Sequence, residues 1–219
     1  MAQSEPSFAL GVIDVGIGNV SAIEAACISI GVPTMRISSP HQLELVSKVV
    51  LPGVGNFGAF MRAIEDTGFN HALGNHVGKS ENSLLGVCVG AQALLDSSEE
   101  AEGVRGLSFI PGLNKHISFD DAKHIPRVGW DYLELHDQTE GFNQKGLRSV
   151  LDGRYYFSHS FKLVPADPSA ILATSRNSPS IPAVIGSGNI IGAQFHPERS
   201  QEWGKRFLEA FYRGTFRVA

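Results

Sequence analysis

Short apolar runs alternate with helix-like segments through the first hundred residues of this chain. The runs "FALGVIDVG", "PTMRIS", "SKVVLPG" and "NSLLGV" have the length and composition of buried strands. Apolar residues at three- and four-residue steps predict helices over "GNVSAIEAACISIGV", capped by Asn19 and ended by Gly31, and over "FGAFMRAIEDTG". A weaker helix interrupted by Gly74 follows in "FNHALGNHVGK", and another spans "GAQALLDS". This alternation predicts a mainly parallel sheet covered by helices.

The second half of the chain has a different pattern. Between residues 107 and 191, Pro, Gly and Asn separate the β-rich runs "WDYLEL", "RYYFSHSFKL", "SAILATS" and "IPAVIG". Such spacing favours antiparallel strands and long loops. The later segment "SQEWGKRFLEAFYRG" predicts a helix capped by Ser200. We therefore expect an α/β fold with a mainly parallel central sheet flanked by helices and an added antiparallel β portion in the second half.

Length and composition favour one domain. Residues 1–7 are polar and are interpreted as a flexible N-terminal tail, and residues 8–219 as a single domain, because no linker or repeat divides them. The net charge of −4 indicates no basic face for nucleic acid, and no segment approaches the roughly 18 apolar residues of a membrane span. Two cysteines and the absence of a signal-peptide pattern predict a cytoplasmic location. Without CxxC spacing or a dinucleotide fingerprint, we expect neither a metal nor a cofactor.

The stretch "SLLGVCVGAQALL" places Cys88 between Gly86 and Gly90, where an apolar run changes to a helical period. A short buried strand, a strained turn and a helix form a nucleophile elbow, in which glycines let neighbouring backbone pass close by. A helix N-terminus also favours a thiolate. The same pattern describes a buried structural cysteine in a glycine-flanked turn, so this stretch alone leaves both interpretations open.

A nucleophilic cysteine needs a base, and the segment "GAQFHPERSQ" contains one candidate. His196 and Glu198 are two residues apart, so their side chains leave an extended chain on the same side. A carboxylate bonded to one imidazole nitrogen would leave the other nitrogen free to take the thiol proton. A surface histidine beside a glutamate remains the alternative for this motif.

The segment "LPGVGNFGAF" has three glycines within six residues, after a predicted strand. Such a strip can direct several backbone N–H groups at one anion, for example the oxyanion formed when a thiolate attacks a carbonyl. It can also be a phosphate loop, although it lacks the Lys and Ser/Thr of the P-loop pattern, or an ordinary flexible turn.

The other cysteine and histidines carry less functional signal. Cys27 lies on the apolar stripe of a predicted helix, which indicates a buried structural thiol. His159 lies in an alternating strand and is interpreted as half-buried and hydrogen-bonded. The remaining histidines lie in polar or loop contexts and are expected to be solvated: His41, His71, His76, His116, His124 and His136.

Five motifs, in this order and spacing, closely resemble those of class I (triad) glutamine amidotransferases: "PGVGNFG", "LLGVCVGAQ", "VGWDYL", "YYFSHSF" and "GAQFHPERSQ". The elbow and His-Pro-Glu motifs are shared by the whole class. The motifs "DVGIGNV", "PGVGNFG", "VGW" and "YFSHS" are similar to those of the glutaminase subunits of imidazole glycerol phosphate synthases. The resemblance runs from about residue 8 to the last predicted helix.

This resemblance implies a role for each motif residue. Cys88 would attack the side-chain amide of L-glutamine, His196 would act as general base and acid, and Glu198 would orient His196. The other implied positions are the oxyanion hole (Gly53, Val54, Gly55 and Val89), the glutamine contacts (Gln92, Ser160 and Phe161) and the partner interface with its ammonia gate (Asn19, Trp130, Tyr156 and Arg199).

The implied activity is that of a hydrolase that forms glutamate and ammonia through a Cys88 thioester. The ammonia would pass to a (β/α)₈-barrel cyclase subunit of the same heterodimer, a lyase that closes the imidazole ring in histidine biosynthesis. Two related alternatives remain open: a paralogous subunit that supplies ammonia for amidination of a surface sugar, and a non-catalytic partner-binding scaffold. An esterase or peptidase with an elbow cysteine is a further alternative.

Three features of the sequence depart from the usual motifs of the family. Val15 replaces the aromatic residue of "DYG". The elbow has smaller side chains than usual at Val87, Val89 and Ala91. Arg199 stands where Lys commonly follows His-Pro-Glu, at the expected ammonia entrance. The first two departures affect packing, whereas the bulkier and always charged Arg199 changes the expected gate.

Overall fold

The structure of this protein is a computed structural model that describes residues 9–136 and 141–216. The predicted tail at residues 1–7 lies outside the described residues. Within the described ranges the strands are β1 (Leu10–Ile13), β2 (Thr34–Ile37), β3 (Lys48–Gly53), β4 (Ser83–Cys88), β5 (Ser97–Ser98), β6 (Gly112–His116), β7 (Arg127–Leu135), β8 (Arg154–His159), β9 (Phe161–Pro165), β10 (Ile171–Ser175), β11 (Ser178–Ser187) and β12 (Ile190–Ala193). The helices are α1 (Val20–Ile28), α2 (Phe57–Asp66), α3 (Phe69–Val77), α4 (Val89–Gln92), α5 (Gln144–Leu151) and α6 (Gln201–Arg213).

Nine of these strands form one sheet in the order β2-β1-β3-β4-β12-β11-β10-β7-β8. The neighbours from β2 to β12 are parallel, and those from β12 to β8 are antiparallel. The parallel half comes mostly from the first hundred residues and the antiparallel half from the later ones. The predicted α/β fold with an antiparallel addition is therefore confirmed.

The inner strands of the parallel half of the sheet are buried because helices cover them. Strands β1, β4 and β12 are buried along their whole length, which explains why their sequences are continuous apolar runs. Helix α2 buries Phe57, Phe60 and Ile64, and α6 buries Phe207 and Phe211 in the same core. The carboxyl ends of β3 and β4 meet at one edge, where Gly53 pairs with Cys88.

A second sheet of three strands, β5-β6-β9, lies beside the large one. Strand β9 pairs with β6 in antiparallel register, whereas β8 pairs with β7 in the large sheet. The run "RYYFSHSFKL" therefore divides at Ser160, whose carbonyl oxygen accepts a hydrogen bond from Ile117 N–H at 2.8 Å. Ser160 lies at the junction of the two sheets.

Helices α3, α4 and α5 differ from what the sequence predicts. Helix α3 runs through Gly74 without interruption. Helix α4 ends at Gln92 instead of Ser97, because the carbonyl groups of Ala93 and Leu94 accept bonds from a later loop. Helix α5 was not predicted, although the Asn143 side chain caps it by accepting from Gly146 N–H.

Two predicted caps stand at the start of a helix but do not cap it through their side chains. Asn19 precedes α1 and Ser200 precedes α6, and both side chains bond to residues of the site described below. Helix α1 also ends at Ile28, before Gly31 takes a positive φ of 75°. Among the described residues, no helix combines the length and apolar character needed to span a membrane.

Candidate active site

Cys88 occupies the turn between β4 and α4 with a strained backbone. Its φ of 54° and ψ of −111° are rare for a residue with a side chain. A Cβ atom on Gly90 would lie 1.9 Å from the Leu51 carbonyl oxygen, and one on Gly86 would lie 2.5 Å from the Gly90 carbonyl oxygen. Both glycines thus allow α4 to pack directly on the strands. This is the strand-to-helix elbow predicted from the sequence.

His196 and Glu198 are joined by a hydrogen bond beside this elbow. Atom Nδ1 of His196 lies 2.8 Å from Oε1 of Glu198, and the two side chains are only 5% and 1% exposed. The same Glu198 oxygen accepts a bond from Asn19 Nδ2 at 3.1 Å. Residues Pro197–Arg199 form a 3₁₀ turn. The side chains of His196 and Glu198 therefore meet across a turn, whereas the sequence predicted an extended segment.

The backbone of His196 is also held firmly. Its N–H donates to the Tyr156 carbonyl oxygen at 2.9 Å, and its carbonyl oxygen accepts from the Ser200 hydroxyl at 2.6 Å. The Ser200 hydroxyl in turn accepts from Tyr156 N–H at 2.9 Å. Strand β8 and the start of α6 therefore orient the imidazole together.

The electrostatics of the site favour the charged form of His196. Burial alone would lower the pKa of His196, but hydrogen bonds with the Cys88 thiol and the Glu198 carboxylate raise it to about 10. The negative charges of these two groups act in the same direction. With Nδ1 bonded to Glu198, Nε2 is the nitrogen that can exchange a proton with the sulfur.

Cys88 and His196 open onto a common cavity of about 360 Å³. Most of the predicted site residues line it: Asn19, Val54, Gly55, Cys88, Val89, Gln92, Ser160, Phe161, His196 and Arg199. Glu198 is buried behind His196 and does not line the cavity. Gly53 does not line it either, because it ends β3 and a Cβ atom there would lie 2.5 Å from Gly90 N.

Gln92 lines the same cavity and belongs to a network of amides. Its Nε2 donates to the Phe161 carbonyl oxygen at 3.2 Å and to Oε1 of Gln194 at 3.4 Å. Atom Nε2 of Gln194 lies 3.9 Å from the sulfur of Cys88. The sequence reasoning did not include Gln194, although it precedes His196 by two residues and alternate residues of an extended segment share a face.

Glu100 is a second residue that sequence reasoning missed. It lines the cavity, and its Oε2 accepts from Phe57 N–H at the start of α2 at 2.7 Å. No local pattern marks this glutamate, because the contact depends on how α2 and the turn after β5 pack together.

The other predicted interface residues form a chain of rings and cations at the surface. The Arg199 guanidinium lies 4.4 Å from the centre of the Tyr156 ring, and Tyr156 contacts Trp130 edge to face at 5.8 Å. Trp130 is 37% exposed, and the Arg154 guanidinium lies 5.6 Å from the centre of its ring. Arg199 therefore connects the cavity with an exposed aromatic surface.

Cys27 follows its prediction, whereas His76 and His159 are more buried than expected. Cys27 is fully buried, and burial followed by the nearby charge of Glu24 raises its pKa to about 12. His76 was expected to be solvated, but it is buried and its Nδ1 lies 3.2 Å from Asn82 Nδ2. No group of three or more His, Cys, Asp or Glu residues in the described part of the chain could hold a metal ion.

Comparison with known proteins identifies the family. The model of the glutamine amidotransferase class-I family matches residues 11–214. This chain belongs to the class I glutamine amidotransferases. The matched residues include Cys88, His196 and Glu198, so the family match covers both sides of the cavity. Within this family the chain is similar to several relatives that share one name.

Three relatives carry the same name, imidazole glycerol phosphate synthase subunit HisH. The relative from Desulfitobacterium hafniense is 34% identical over 202 residues, which cover 92% of each chain. The relative from Chlorobium luteolum is 36% identical over 91% of this chain and 97% of its own. The relative from Bacillus subtilis is 33% identical over 92% of this chain and 94% of its own.

Solved structures support the class I glutamine amidotransferase fold. A structure described as a glutamine amidotransferase aligns with a TM-score of 0.74 at 15% identity and covers 94% of this chain and 98% of the other. The structure of PurLQS from Thermotoga maritima aligns with a TM-score of 0.69 at 17% identity over 94% and 98%. At these identities the alignments concern the fold alone.

Proposed function

We propose that this chain is the glutaminase subunit of an imidazole glycerol phosphate synthase, which hydrolyses L-glutamine to glutamate and ammonia. The observation that carries the proposal is the placement of a strained elbow cysteine and a carboxylate-bound histidine at the same cavity. The HisH names of the relatives support the choice of synthase. Cys88, His196 and Glu198 are the proposed reacting set.

In the first half-reaction, the Cys88 thiolate attacks the side-chain amide carbon of glutamine and forms a carbon–sulfur bond. The amide oxygen becomes an oxyanion, which we assign to the N–H groups of Val89 and of Val54 and Gly55, the two members of the Gly53–Val54–Gly55 strip that line the cavity. His196 then gives its proton to the amide nitrogen, the carbon–nitrogen bond breaks, and ammonia leaves a glutamyl thioester. Glu198 orients the imidazole and stabilises its charged form.

In the second half-reaction, His196 takes a proton from a water molecule that attacks the thioester carbon. The carbon–sulfur bond breaks, glutamate leaves and the Cys88 thiolate is regenerated. Gln92 and the backbone of Ser160 and Phe161 are proposed to hold the glutamine during both steps, which fits their place in the lining of the Cys88 cavity.

The ammonia is proposed to pass to a (β/α)₈-barrel cyclase subunit in a heterodimer. Free ammonia in water becomes protonated and loses its nucleophilicity, so transfer through a closed interface preserves it. We assign the interface and the ammonia gate to Asn19, Trp130, Tyr156 and Arg199, which lead from the cavity to an exposed surface. The two cysteines are free thiols, which fits the cytoplasmic location that the sequence predicts.

A glutaminase assay of the complex with the cyclase and its nucleotide substrate tests the proposal. We expect weak hydrolysis by the subunit alone, strong stimulation in the complex, and loss of at least about a thousandfold in Cys88→Ala, because the nucleophile is gone. Cys27→Ala is the matched control and is expected to retain activity, since that thiol is buried in the core. Activity retained in Cys88→Ala would contradict the proposed chemistry.

The identity of the acceptor needs a separate experiment. Growth of a histidine auxotroph that lacks its own glutaminase subunit is expected when this chain is supplied together with its cyclase. An active glutaminase that fails to restore growth would instead favour the surface-sugar alternative, and an inactive but bound subunit would favour a scaffold.

A further inference from the structure

Strand β7 carries a buried ion pair that the proposed reaction does not use. Nη2 of Arg127 donates to Oδ2 of Asp131 at 2.8 Å, and the two side chains are 11% and 4% exposed. Asp131 also accepts bonds from the Ser175 hydroxyl, Tyr132 N–H, and the backbone and side-chain nitrogens of Asn177. A buried carboxylate with this many donors holds the guanidinium in one position.

Arg127 reaches from this pair across the sheet to His159. The two residues are direct partners in the β7–β8 register, and Nη1 of Arg127 lies 3.4 Å from Nε2 of His159. The guanidinium lies 3.8 Å over the Phe157 ring, whose own cross-strand partner, Gly129, has no side chain to compete for that space. A guanidinium can only donate hydrogen bonds, so Nε2 of His159 accepts and the proton resides on Nδ1.

His159 in turn bonds to a backbone carbonyl group at the cavity. Its Nδ1 donates to the Phe161 carbonyl oxygen at 2.8 Å, and the imidazole stays neutral because burial, followed by the charges of Arg127 and His196, lowers its pKa to about 3. The same carbonyl oxygen accepts the bond from Gln92 Nε2 at 3.2 Å. Two donors on one oxygen fix the plane of the Phe161 peptide group beside the Cys88 cavity.

We propose that Arg127 is a positioning residue for glutamine binding, which acts through the Nδ1–H tautomer of His159 to hold the Ser160–Phe161 strip in the orientation that receives the substrate. Arg127 itself does not line the Cys88 cavity. The inference rests on the proposed glutaminase function, because that function assigns glutamine to this strip. Replacement of Arg127 by a neutral side chain would leave His159 free to change its tautomer. The Phe161 carbonyl group could then reorient as well.

The first test measures glutaminase kinetics of the complex with the double variant Arg127→Met/Asp131→Asn, which removes both charges and leaves none buried without a partner. We expect KM for glutamine to rise about tenfold, the loss expected for one charge-assisted hydrogen bond, with kcat changed less than twofold. Alkylation of Cys88 by iodoacetamide, which needs no glutamine site, should keep its rate. Arg176→Met, the matched control, removes an arginine that contacts Tyr132 and Leu133 but not His159.

The second test asks whether Arg127 acts through His159. In His159→Asn, the side-chain amide can donate to the Phe161 carbonyl oxygen without help from Arg127. Adding the double variant to this background should therefore raise KM less than twofold further. A second tenfold increase, or an unchanged KM in the original double variant, would overturn the proposal.

The third test uses the wild-type complex, so it does not depend on whether an Arg127 variant folds. In the wild-type complex labelled with ¹⁵N-histidine, the His159 signals should show a protonated Nδ1 and an unprotonated Nε2 at neutral pH, assigned by their loss in His159→Asn. The opposite tautomer or a charged imidazolium would refute the inference. A wild-type complex without glutaminase activity would instead refute the proposed function, so the two failures are distinguishable.

Discussion

At the scale of single residues, His159 is expected to make the folded protein less stable in acid. Its pKa is about 3 in the folded protein, whereas an unfolded histidine has a pKa of about 6.5. Between these values the unfolded chain binds a proton that the folded protein does not, so the free energy of unfolding decreases as the pH falls from about 6.5. The slope approaches about 1.4 kcal/mol per pH unit at its steepest.

Urea unfolding of the full chain at pH 7 and pH 4.5 measures this effect. In His159→Asn this contribution should disappear, so the variant should lose less stability than the wild type over the same interval. His71→Asn, which changes an exposed histidine on α3, should behave as the wild type does. Equal pH dependence in His159→Asn and the wild type would refute the assignment.

The proposed reacting residues can be picked out from the sequence because local motifs contain them. Cys88 lies in an elbow pattern, and His196 and Glu198 are two residues apart. Asn19 is 179 residues from Glu198, and their hydrogen bond depends on the packing of the start of α1 against the turn before α6. The ion pair that holds His159 was likewise absent from the sequence reasoning, since its function appears only when β7, β8 and β10 lie side by side.

At the scale of elements, the contact between α4 and β3 leaves no room for a side chain at Gly90. A Cβ atom there would lie 1.9 Å from the Leu51 carbonyl oxygen, and backbone cannot move aside as a flexible side chain can. Gly90→Ala should therefore lower the free energy of unfolding by about 3 kcal/mol or more and disturb the Cys88 elbow. Denaturant unfolding and the rate of Cys88 alkylation measure the two effects.

Gly74→Ala is the matched control for this substitution. Gly74 lies within α3, and a Cβ atom there would meet nothing within 4 Å. Because alanine is the better helix former, this change should stabilise the protein by up to about 1 kcal/mol. If both alanine variants were equally stable, close packing at the elbow would not be the reason for Gly90.

Elements with clear periodicity were predicted well, and those that depend on distant partners were not. Strands β1 to β4 and helix α2 have continuous apolar runs or a clear apolar face. Helix α4 has an equally apolar sequence, but it stops at Gln92 because the loop at residues 106–110 bonds to the carbonyl groups that a longer helix would use. The effect of such a loop is decided by tertiary packing and not by local propensity.

At the scale of the whole molecule, β7 presents one buried face and one exposed face. Asp131 and Leu133 are buried, whereas Val128, Trp130 and Tyr132 on the other face are 57%, 37% and 42% exposed. This exposed face adjoins Tyr156 and Arg199 at the mouth of the Cys88 cavity. Large exposed aromatic side chains that touch cations are typical of the central contacts of protein interfaces.

Trp130 is therefore expected to contribute strongly to cyclase binding. Trp130→Ala should raise the dissociation constant of the complex about 30-fold, which is the effect expected for one central interface residue. Iodoacetamide should still alkylate Cys88 at the wild-type rate. Leu45→Ala is the matched control, because Leu45 is 59% exposed but lies before β3, at the sheet edge opposite the cavity. Isothermal titration calorimetry with the purified cyclase gives both constants. A Trp130→Ala complex as tight as the wild type, or an equal loss in Leu45→Ala, would place the interface elsewhere on the protein.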